Sequence, residues 1–260
     1  MLLVGGCVAL VMEFAPTSQS PSTSVDSGPD ASGTLFPVSS AEPHRLAAGE
    51  AAAIVALGAT RAGVPATHEG HSSAAAVVES ALSPDDQIEF DSELASAQQA
   101  MASQDTLDEA TALGYVRAAA PAGGIGTHWV LWSQIAKPFD AAKPSMLLFD
   151  ERRKPAVLVG YSYALQSPVR PEGFAGDNDH WHQHIGLCVS DTGWVVREQT
   201  ASRDKCNGTY IAGGDFWMLH AWVVPGYENR KGRFAPFNPK LCPPIVGTPD
   251  VNRCPDGTSS

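Results

Sequence analysis

The large aromatic residues of this 260-residue chain are confined almost entirely to its second half. All six Trp, all five Tyr and six of the nine Phe lie after residue 111. Large aromatic side chains bury the most apolar area and dominate hydrophobic cores. We therefore expect one packed domain over residues 83–245, followed by a C-terminal tail over 246–260.

Charge divides the chain in the same way. Residues 1–110 carry 15 acidic and two basic residues, whereas residues 111–260 carry 13 acidic and 15 basic residues. The net charge of the whole chain is −11, so it lacks the basic surface with which proteins neutralise nucleic-acid phosphates. No apolar run reaches the roughly 18 residues that span a bilayer. We expect no nucleic-acid partner and no internal membrane helix.

The N-terminal region has the composition of an export signal followed by a tether. Residues 1–15 begin with an apolar stretch typical of signal peptides, although the usual basic residues before it are missing. Small residues precede Cys7, as in bacterial lipoprotein signals, so Cys7 is a candidate lipid-attachment site and membrane anchor. Residues 16–45 are rich in Ser, Pro, Thr and Gly, which predicts a disordered tether. We expect a secreted or cell-envelope protein outside the cytoplasm.

Helix signals appear between residues 46 and 114. Residues 46–82 are Ala-rich and predict a weak helix, with His68 and His71 in a solvated loop. A Ser-Pro start predicts a helix over 84–103, and a Thr-x-x-Glu capping box predicts another over 106–113. Apolar residues at helical spacing should pack the longer helix onto a sheet; these are Phe90, Leu94 and Met101.

Beyond residue 115 the pattern changes to short strands joined by turns. Residues 146–149 and 157–163 flank a charged turn, and residues 185–189 and 194–197 flank Asp-Thr-Gly. A fifth strand is expected over 217–224. Short hairpin loops join antiparallel neighbours. The sequence thus predicts an α+β domain whose helices pack on one side of a mostly antiparallel sheet; a cupin-like fold and a small sandwich are alternatives.

Histidines are concentrated on the predicted strands. In a single strand running from residue 180 to 188, alternate residues share one face, and that face carries His180, His182, His184 and Cys188. His220 lies on the fifth strand and is able to supply a third imidazole. The glycines around His128 allow a close backbone approach, so it is a candidate fourth ligand.

Imidazole ligands suit Zn and Cu, and we expect one of these metals at His182, His184, His220 and His128. Glu198 and His180 are candidates for further ligands or for residues that orient the ligands. A polar cleft whose histidines make ordinary hydrogen bonds is the alternative interpretation. Another makes Cys188 a thiolate ligand in a copper set with His182, His184 and Met218.

The cysteines favour an oxidising compartment. Four of the five lie in the C-terminal half, and four cysteines allow three pairings. The pairing that we expect joins Cys188 to Cys206 and Cys242 to Cys254.

Five segments carry a family resemblance, namely GIGTHWV, FDAAKPSMLLFD, HWHQHIGLCV, MLHAWVVPGYEN and GRFAPFNPKLC. The chain resembles, over roughly residues 85–242, a family of uncharacterised secreted bacterial proteins with these motifs. The resemblance implies export and a shared fold, and it implies no reaction.

Three function classes follow from the sequence. The first is an extracytoplasmic metal-binding protein, the second a metal-dependent hydrolase or oxidoreductase with a strand-lined pocket, and the third an interaction module without metal. The sequence contains no GxSxG, HExxH or P-loop motif, which removes several common enzyme classes. Whether the protein is an enzyme stays open at this point.

Overall fold

A computed structural model describes residues 46–59, 79–198, 200 and 202–242 of the chain. The expected signal, the tether and the C-terminal tail lie outside the described residues. So do Cys7, His68, His71 and Cys254.

The described residues form four α-helices and nine β-strands. The helices are α1 (Ala48–Ala59), α2 (Pro84–Met101), α3 (Leu107–Ala112) and α4 (Trp132–Ile135). The first five strands are β1 (Val116–Arg117), β2 (Thr127–Val130), β3 (Met146–Asp150), β4 (Val157–Gln166) and β5 (His182–Gln183). The others are β6 (Gly186–Val189), β7 (Val195–Arg197), β8 (Thr209–Ala212) and β9 (Phe216–Ala221), and 3-10 turns cover Arg203–Lys205 and Pro239–Leu241.

The strands form two antiparallel sheets. The larger has six strands in the order β1-β2-β3-β4-β9-β5, and the smaller has three in the order β7-β6-β8. Every strand pair in both sheets is antiparallel. The α+β class with a mostly antiparallel sheet is therefore confirmed, as is the hairpin of β6 and β7 around Asp-Thr-Gly.

The helix starts follow from the side chains that satisfy their exposed backbone amides. The Ser83 side chain accepts a hydrogen bond from the amide of Asp86 at the start of α2. Thr106 and Glu109 form the predicted capping box at the start of α3. Such caps satisfy amides that have no partner within the helix.

Helices α2 and α3 cover one face of the six-stranded sheet. Phe90 is 2% exposed and belongs to one core cluster with Tyr161 and Tyr163 of β4, against which Leu94 also packs. This arrangement confirms the expected packing through Phe90 and Leu94. The Met101 side chain lies outside the described residues.

The opposite face of the large sheet is covered as well, which corrects the expectation that the helices lie on one side only. Ala164 follows Tyr163 on β4, so its side chain points to the other face. It is fully buried there, in a second cluster with residues of α1, α4 and the small sheet. The six-stranded sheet is thus the middle layer of the domain. No helix among the described residues is long and apolar enough to cross a membrane.

The expectation of one continuous strand from residue 180 to 188 is wrong. β5 pairs with β9 in the large sheet, whereas β6 pairs with β7 and β8 in the small one. Two glycines allow the chain to pass between the sheets. A Cβ atom on Gly186 would lie 2.6 Å from the carbonyl oxygen of Thr200, and one on Gly213 would clash with that of His184. The crossing therefore depends on close backbone contacts that larger residues would block.

One of the two predicted disulfides lies within the described residues, and one cysteine of the other also does. Cys188 of β6 is bonded to Cys206, as expected. Cys242 is also disulfide-bonded, and its expected partner Cys254 lies outside the described residues.

We expect peptide mapping of the unreduced protein to recover Cys188 joined to Cys206 and Cys242 joined to Cys254. The first bond closes a loop with a sequence separation of 18, and replacing both of its cysteines by Ala should lower the unfolding free energy by about 3 kcal/mol. Urea denaturation measures the difference. An unchanged midpoint in the double variant would contradict the expectation.

Candidate metal centre

Four histidine rings lie close together, and three of them, those of His128, His182 and His220, lie on the face of the large sheet that looks towards the small sheet. The ring centroid of His182 lies 5.5 Å from that of His184 and 5.4 Å from that of His220. The centroid of His128 lies 5.7 Å from that of His220. The structure therefore brings together the four residues that the sequence nominates, as a connected set of rings.

Strand register explains why the His128, His182 and His220 side chains share a face, while His184 follows β5 in the segment that crosses to the small sheet. His220 on β9 lies directly opposite Ser162 on β4, and Met218 lies opposite His182 on β5. His128 on β2 pairs with Leu148 on β3, and Leu148 pairs with Gly160 on β4. Directly opposite residues in a sheet point to the same side, and so do alternate residues along a strand.

Small residues on β4 leave room for the rings. β3 and β4 lie between the strands that carry His128 and His220. At this level β4 presents only Gly160 and Ser162. A Cβ atom on Gly160 would lie 2.9 Å from the ring of Trp222, so even a methyl group here would disturb the aromatic wall beside the histidines.

The backbone before His128 is also shaped by glycine. Gly126 has a φ of +92°, a conformation that residues with a Cβ atom rarely adopt. A Cβ atom on Gly126 would lie 2.7 Å from the carbonyl oxygen of Phe149. The expectation that these glycines permit a close backbone approach is thus met at Gly126.

All four histidines are buried. Their exposed fractions are 8% for His128, 1% for His182, 1% for His184 and 0% for His220. Burial makes the charged imidazolium form unfavourable. It lowers the pKa of His128 to about 3 and that of His220 to about 4, and it holds the pKa of His182 well below its usual range. The neighbouring histidines lower these pKa values further, so the three rings are neutral near pH 7, which is the form that metal binding requires.

Hydrogen bonding fixes which ring nitrogen carries the proton. His220 Nδ1 lies 2.8 Å from the carbonyl oxygen of Pro236. A carbonyl only accepts hydrogen bonds, so Nδ1 donates and Nε2 carries the lone pair. Metal-binding histidines are commonly oriented in this way, with the second ring nitrogen bonded to a carbonyl or carboxylate.

Two other rings face oxygen atoms through the same nitrogen. His182 Nδ1 lies 3.5 Å from the carbonyl oxygen of His180, and His184 Nδ1 lies 4.0 Å from Glu198 Oε2. The Nε2 atom of His128 is buried and has no hydrogen-bond partner within the described part of the chain.

The remaining candidates lie at the edge of the cluster. The His180 ring is partly exposed, and its centroid is 6.5 Å from that of His182. Glu198 follows β7 directly, and its side chain is 45% exposed while that of His184 is 1% exposed. Both positions suit residues that orient the buried rings.

The thiolate-ligand alternative for Cys188 is wrong. Its sulfur is bonded to Cys206, and a disulfide sulfur provides no thiolate for a metal. The thiolate alternative also required His182 and Cys188 to lie on one face of a single strand. His182 lies in the large sheet and Cys188 in the small one. Cys188 belongs to the small sheet, where it lies opposite Arg197, the residue before Glu198.

The ring spacing is close to that of a metal site, but no group of three or more His, Cys, Asp or Glu side chains among the described residues could hold a metal ion as placed. In a tetrahedral site with Zn–N bonds of about 2.0–2.1 Å, imidazole centroids lie roughly 5 Å apart. The observed centroid distances of 5.4–5.7 Å are slightly wider.

Sequence reasoning missed two members of the site. Ser162 could have been found from the alternation of small and large residues along β4, where Gly160, Ser162 and Ala164 share one face. Pro236 acts through its backbone carbonyl, and no local sequence signal indicates that contact.

Comparisons of the chain with protein-family models, with curated proteins and with solved structures found no match. The family resemblance stays a prediction. The fold and the chemistry of the site carry the functional argument.

Proposed function

We propose that this is an extracytoplasmic metal-binding protein that holds Zn or Cu through His182, His184 and His220, with His128 as the fourth contributor. The proposal is supported chiefly by the His220 ring, whose Nδ1 donates to a backbone carbonyl so that Nε2 carries the lone pair. Two neighbouring rings lie at spacings close to those of a tetrahedral site.

Burial favours a binding role over the alternative of a metal-dependent enzyme. The four rings are at most 8% exposed, and a cluster so deeply enclosed admits only small ligands. The third class, an interaction module without metal, gives no reason for four histidine rings to gather in the interior with centroids 5.4–5.7 Å apart.

The disulfide is compatible with the extracytoplasmic part of the proposal. Stable disulfides form and persist in secreted proteins and in the bacterial periplasm, and Cys188–Cys206 is such a bond. Expression with and without export, followed by thiol titration, tests the location: exported protein should carry no free thiol at Cys188 or Cys206.

Metal content tests the site itself. Protein incubated with Zn²⁺ or Cu²⁺ and then desalted should retain one ion per chain by elemental mass spectrometry. His184→Ala should weaken binding more than the roughly 10–100-fold that loss of a supporting residue costs, since it removes a ligand. His68→Ala and His71→Ala are the matched controls and should retain the metal.

Two outcomes would contradict the proposal. If the wild-type protein keeps no metal after loading with either ion, the cluster is a polar cleft whose histidines only hydrogen-bond. If His184→Ala binds metal as tightly as the wild type, the ion lies elsewhere in the chain.

A further inference from the structure

A cleft lies on the face of the large sheet that α2 and α3 cover. Its volume is about 910 Å³, and pockets that bind small molecules measure roughly 300–1,000 Å³. Residues of the α2–α3 connection, β1, β2, the β3–β4 turn and the segment after β9 line it. Trp129 is one of them, and it points away from its neighbour His128 because successive residues of a strand face opposite sides. The cleft is thus separate from the histidine cluster.

The wall of the cleft is mainly apolar. Trp129 of β2, Leu158 of β4 and Val224 are 4–8% exposed and belong to the core cluster beneath α2 and α3. Leu107 of α3 packs against the same cluster. Because these side chains are held in a packed core, the apolar wall keeps its shape without a ligand. A ligand that fills the cleft therefore needs an apolar body.

One ion pair in the cleft is already complete. Arg117 Nε lies 3.0 Å from each carboxylate oxygen of Glu151, and Arg117 Nη2 lies 2.9 Å from Glu151 Oε2. Trp129 Nε1 donates to Glu151 Oε1 over 2.9 Å. The guanidinium carbon of Arg117 also lies 5.2 Å from the ring centroid of Trp194. The charges of Arg117 and Glu151 thus cancel, and the pair adds no net charge to the cleft.

The remaining charged groups of the cleft are two carboxylates and one ammonium group. Asp105 and Asp108 lie on the side formed by the α2–α3 connection and α3, and Lys154 lies on the side formed by the β3–β4 turn. The side chains of Asp105 and Glu109 share a hydrogen bond, whereas no described residue forms an ion pair with Asp108. Residues 79–116 contain nine Asp or Glu and no Lys or Arg. A surface of this composition attracts cations.

We propose that this cleft binds a small organic cation, an amine attached to an aromatic body. The ammonium group pairs with Asp108, and the aromatic body packs against Trp129 and Leu158. Charge complementarity selects the amine, and the apolar wall selects the body that carries it. The cleft binds this ligand with or without a metal ion, because the histidine cluster lies on the opposite face of the sheet.

Three probes of nearly equal shape test the charge of the ligand. They are 1-naphthylmethylamine, 1-naphthalenemethanol and 1-naphthoate, which are cationic, neutral and anionic at pH 7. Isothermal titration calorimetry on the full chain should show the tightest binding for the amine and the weakest for the carboxylate. Raising NaCl from about 20 mM to about 500 mM should weaken binding of the amine and not that of the alcohol, since salt screens exposed charges.

Variants of the cleft test which residues are responsible. Asp108→Asn should weaken binding of the amine about fivefold, the loss expected for an exposed ion pair, and leave binding of the alcohol unchanged. Lys154→Gln removes the opposing charge and should tighten binding of the amine. Ala102→Trp places a large ring in the cleft from an exposed position, so it should abolish binding of both probes. Circular dichroism shows whether each variant is folded.

The matched control is Asp91→Asn. Asp91 is an exposed carboxylate of α2 that does not line the cleft, so this variant changes the net charge by the same amount as Asp108→Asn. Its titration with the amine should equal that of the wild type. Equal losses in the two variants would show that the amine responds only to the net charge of the protein.

The other outcomes are also decisive. If none of the three probes saturates the protein, the cleft is not a binding site and the proposal fails. Tighter binding of the carboxylate than of the amine would overturn the assignment of a cation. Neither result affects the proposed metal site, because the titrations use protein without added metal.

Discussion

The metal-free protein should lose about 3 kcal/mol of unfolding free energy between pH 6.5 and pH 5. Three buried histidines and one buried carboxyl group determine this figure. Native domains are stable by only about 5–15 kcal/mol, so an effect of this size brings the protein close to unfolding in mild acid.

The sign follows from the histidine pKa values. Burial lowers the pKa of His128 to about 3 and that of His220 to about 4, and it places the pKa of His182 well below its usual range. In the unfolded chain these groups titrate near pH 6.5. Between pH 6.5 and about pH 4 the unfolded chain binds protons that the folded protein does not. The contribution of the three neutral histidines to the stability of the fold is complete above pH 6.5, their pKa in the unfolded chain. It is lost as the pH falls below that value.

Asp179 acts in the opposite direction. Its burial raises its pKa to about 7, whereas an unfolded Asp titrates near pH 3.9. In the same window the folded protein therefore holds a proton at Asp179 that the unfolded chain lacks, which stabilises the fold as the pH falls. Asp179 thus offsets the effect of one of the three histidines. Each of the other two histidines lowers the unfolding free energy by up to about 1.4 kcal/mol per pH unit as the pH falls.

Urea denaturation at pH 7, 6 and 5 measures the net effect. Asp179→Asn supplies the matched variant, because it removes the opposing group and leaves the histidines in place. Between pH 6.5 and pH 5 its stability should decrease by about 5 kcal/mol instead of about 3. Stability that is constant or increases from pH 7 to pH 5 would show that the histidines are not held neutral in the fold.

Local signals in the sequence predicted several elements correctly. Ser83 and Pro84 mark the start of α2, and Asp191-Thr192-Gly193 marks the turn between β6 and β7. Each signal depends on residues that are neighbours in the chain. Local backbone preferences and capping therefore determine these elements before tertiary packing contributes.

The change of sheet after His182 could not be predicted in this way. It depends on Gly213 lying against the carbonyl oxygen of His184 and on Gly186 lying against that of Thr200. These are tertiary contacts between segments that are distant along the chain. Strands β1, β2 and β8 were missed for a related reason, since each has only two to four residues and is defined by its partners.

The histidine cluster is an intermediate case. Spacing nominated His182 and His184, and strand composition nominated His220. Their shared face depends on the register of β9 against β4 and β5. A shift of one residue in that register would have turned His220 to the opposite face. Ser162 enters the site only through the same register.

Replacing Phe90 by Ala should lower the unfolding free energy by about 3–5 kcal/mol, the cost of removing a large aromatic ring from a packed core. Phe90 is 2% exposed. Its ring centroid lies 5.7 Å from that of Phe174 and 6.2 Å from that of Phe234. The Arg233 guanidinium carbon lies 4.6 Å from the ring centroid. The side chain thus joins α2 to the loops that flank the large sheet.

Ile88 on the same helix is the matched control. It is 70% exposed, so Ile88→Ala should change the stability by no more than about 0.5 kcal/mol. Urea denaturation compares the two variants. Phe90→Ala that remains folded should still bind one metal ion per chain, because Phe90 and the histidines lie on opposite faces of the sheet. Equal stability losses in the two variants would show that α2 is not packed on the sheet through Phe90.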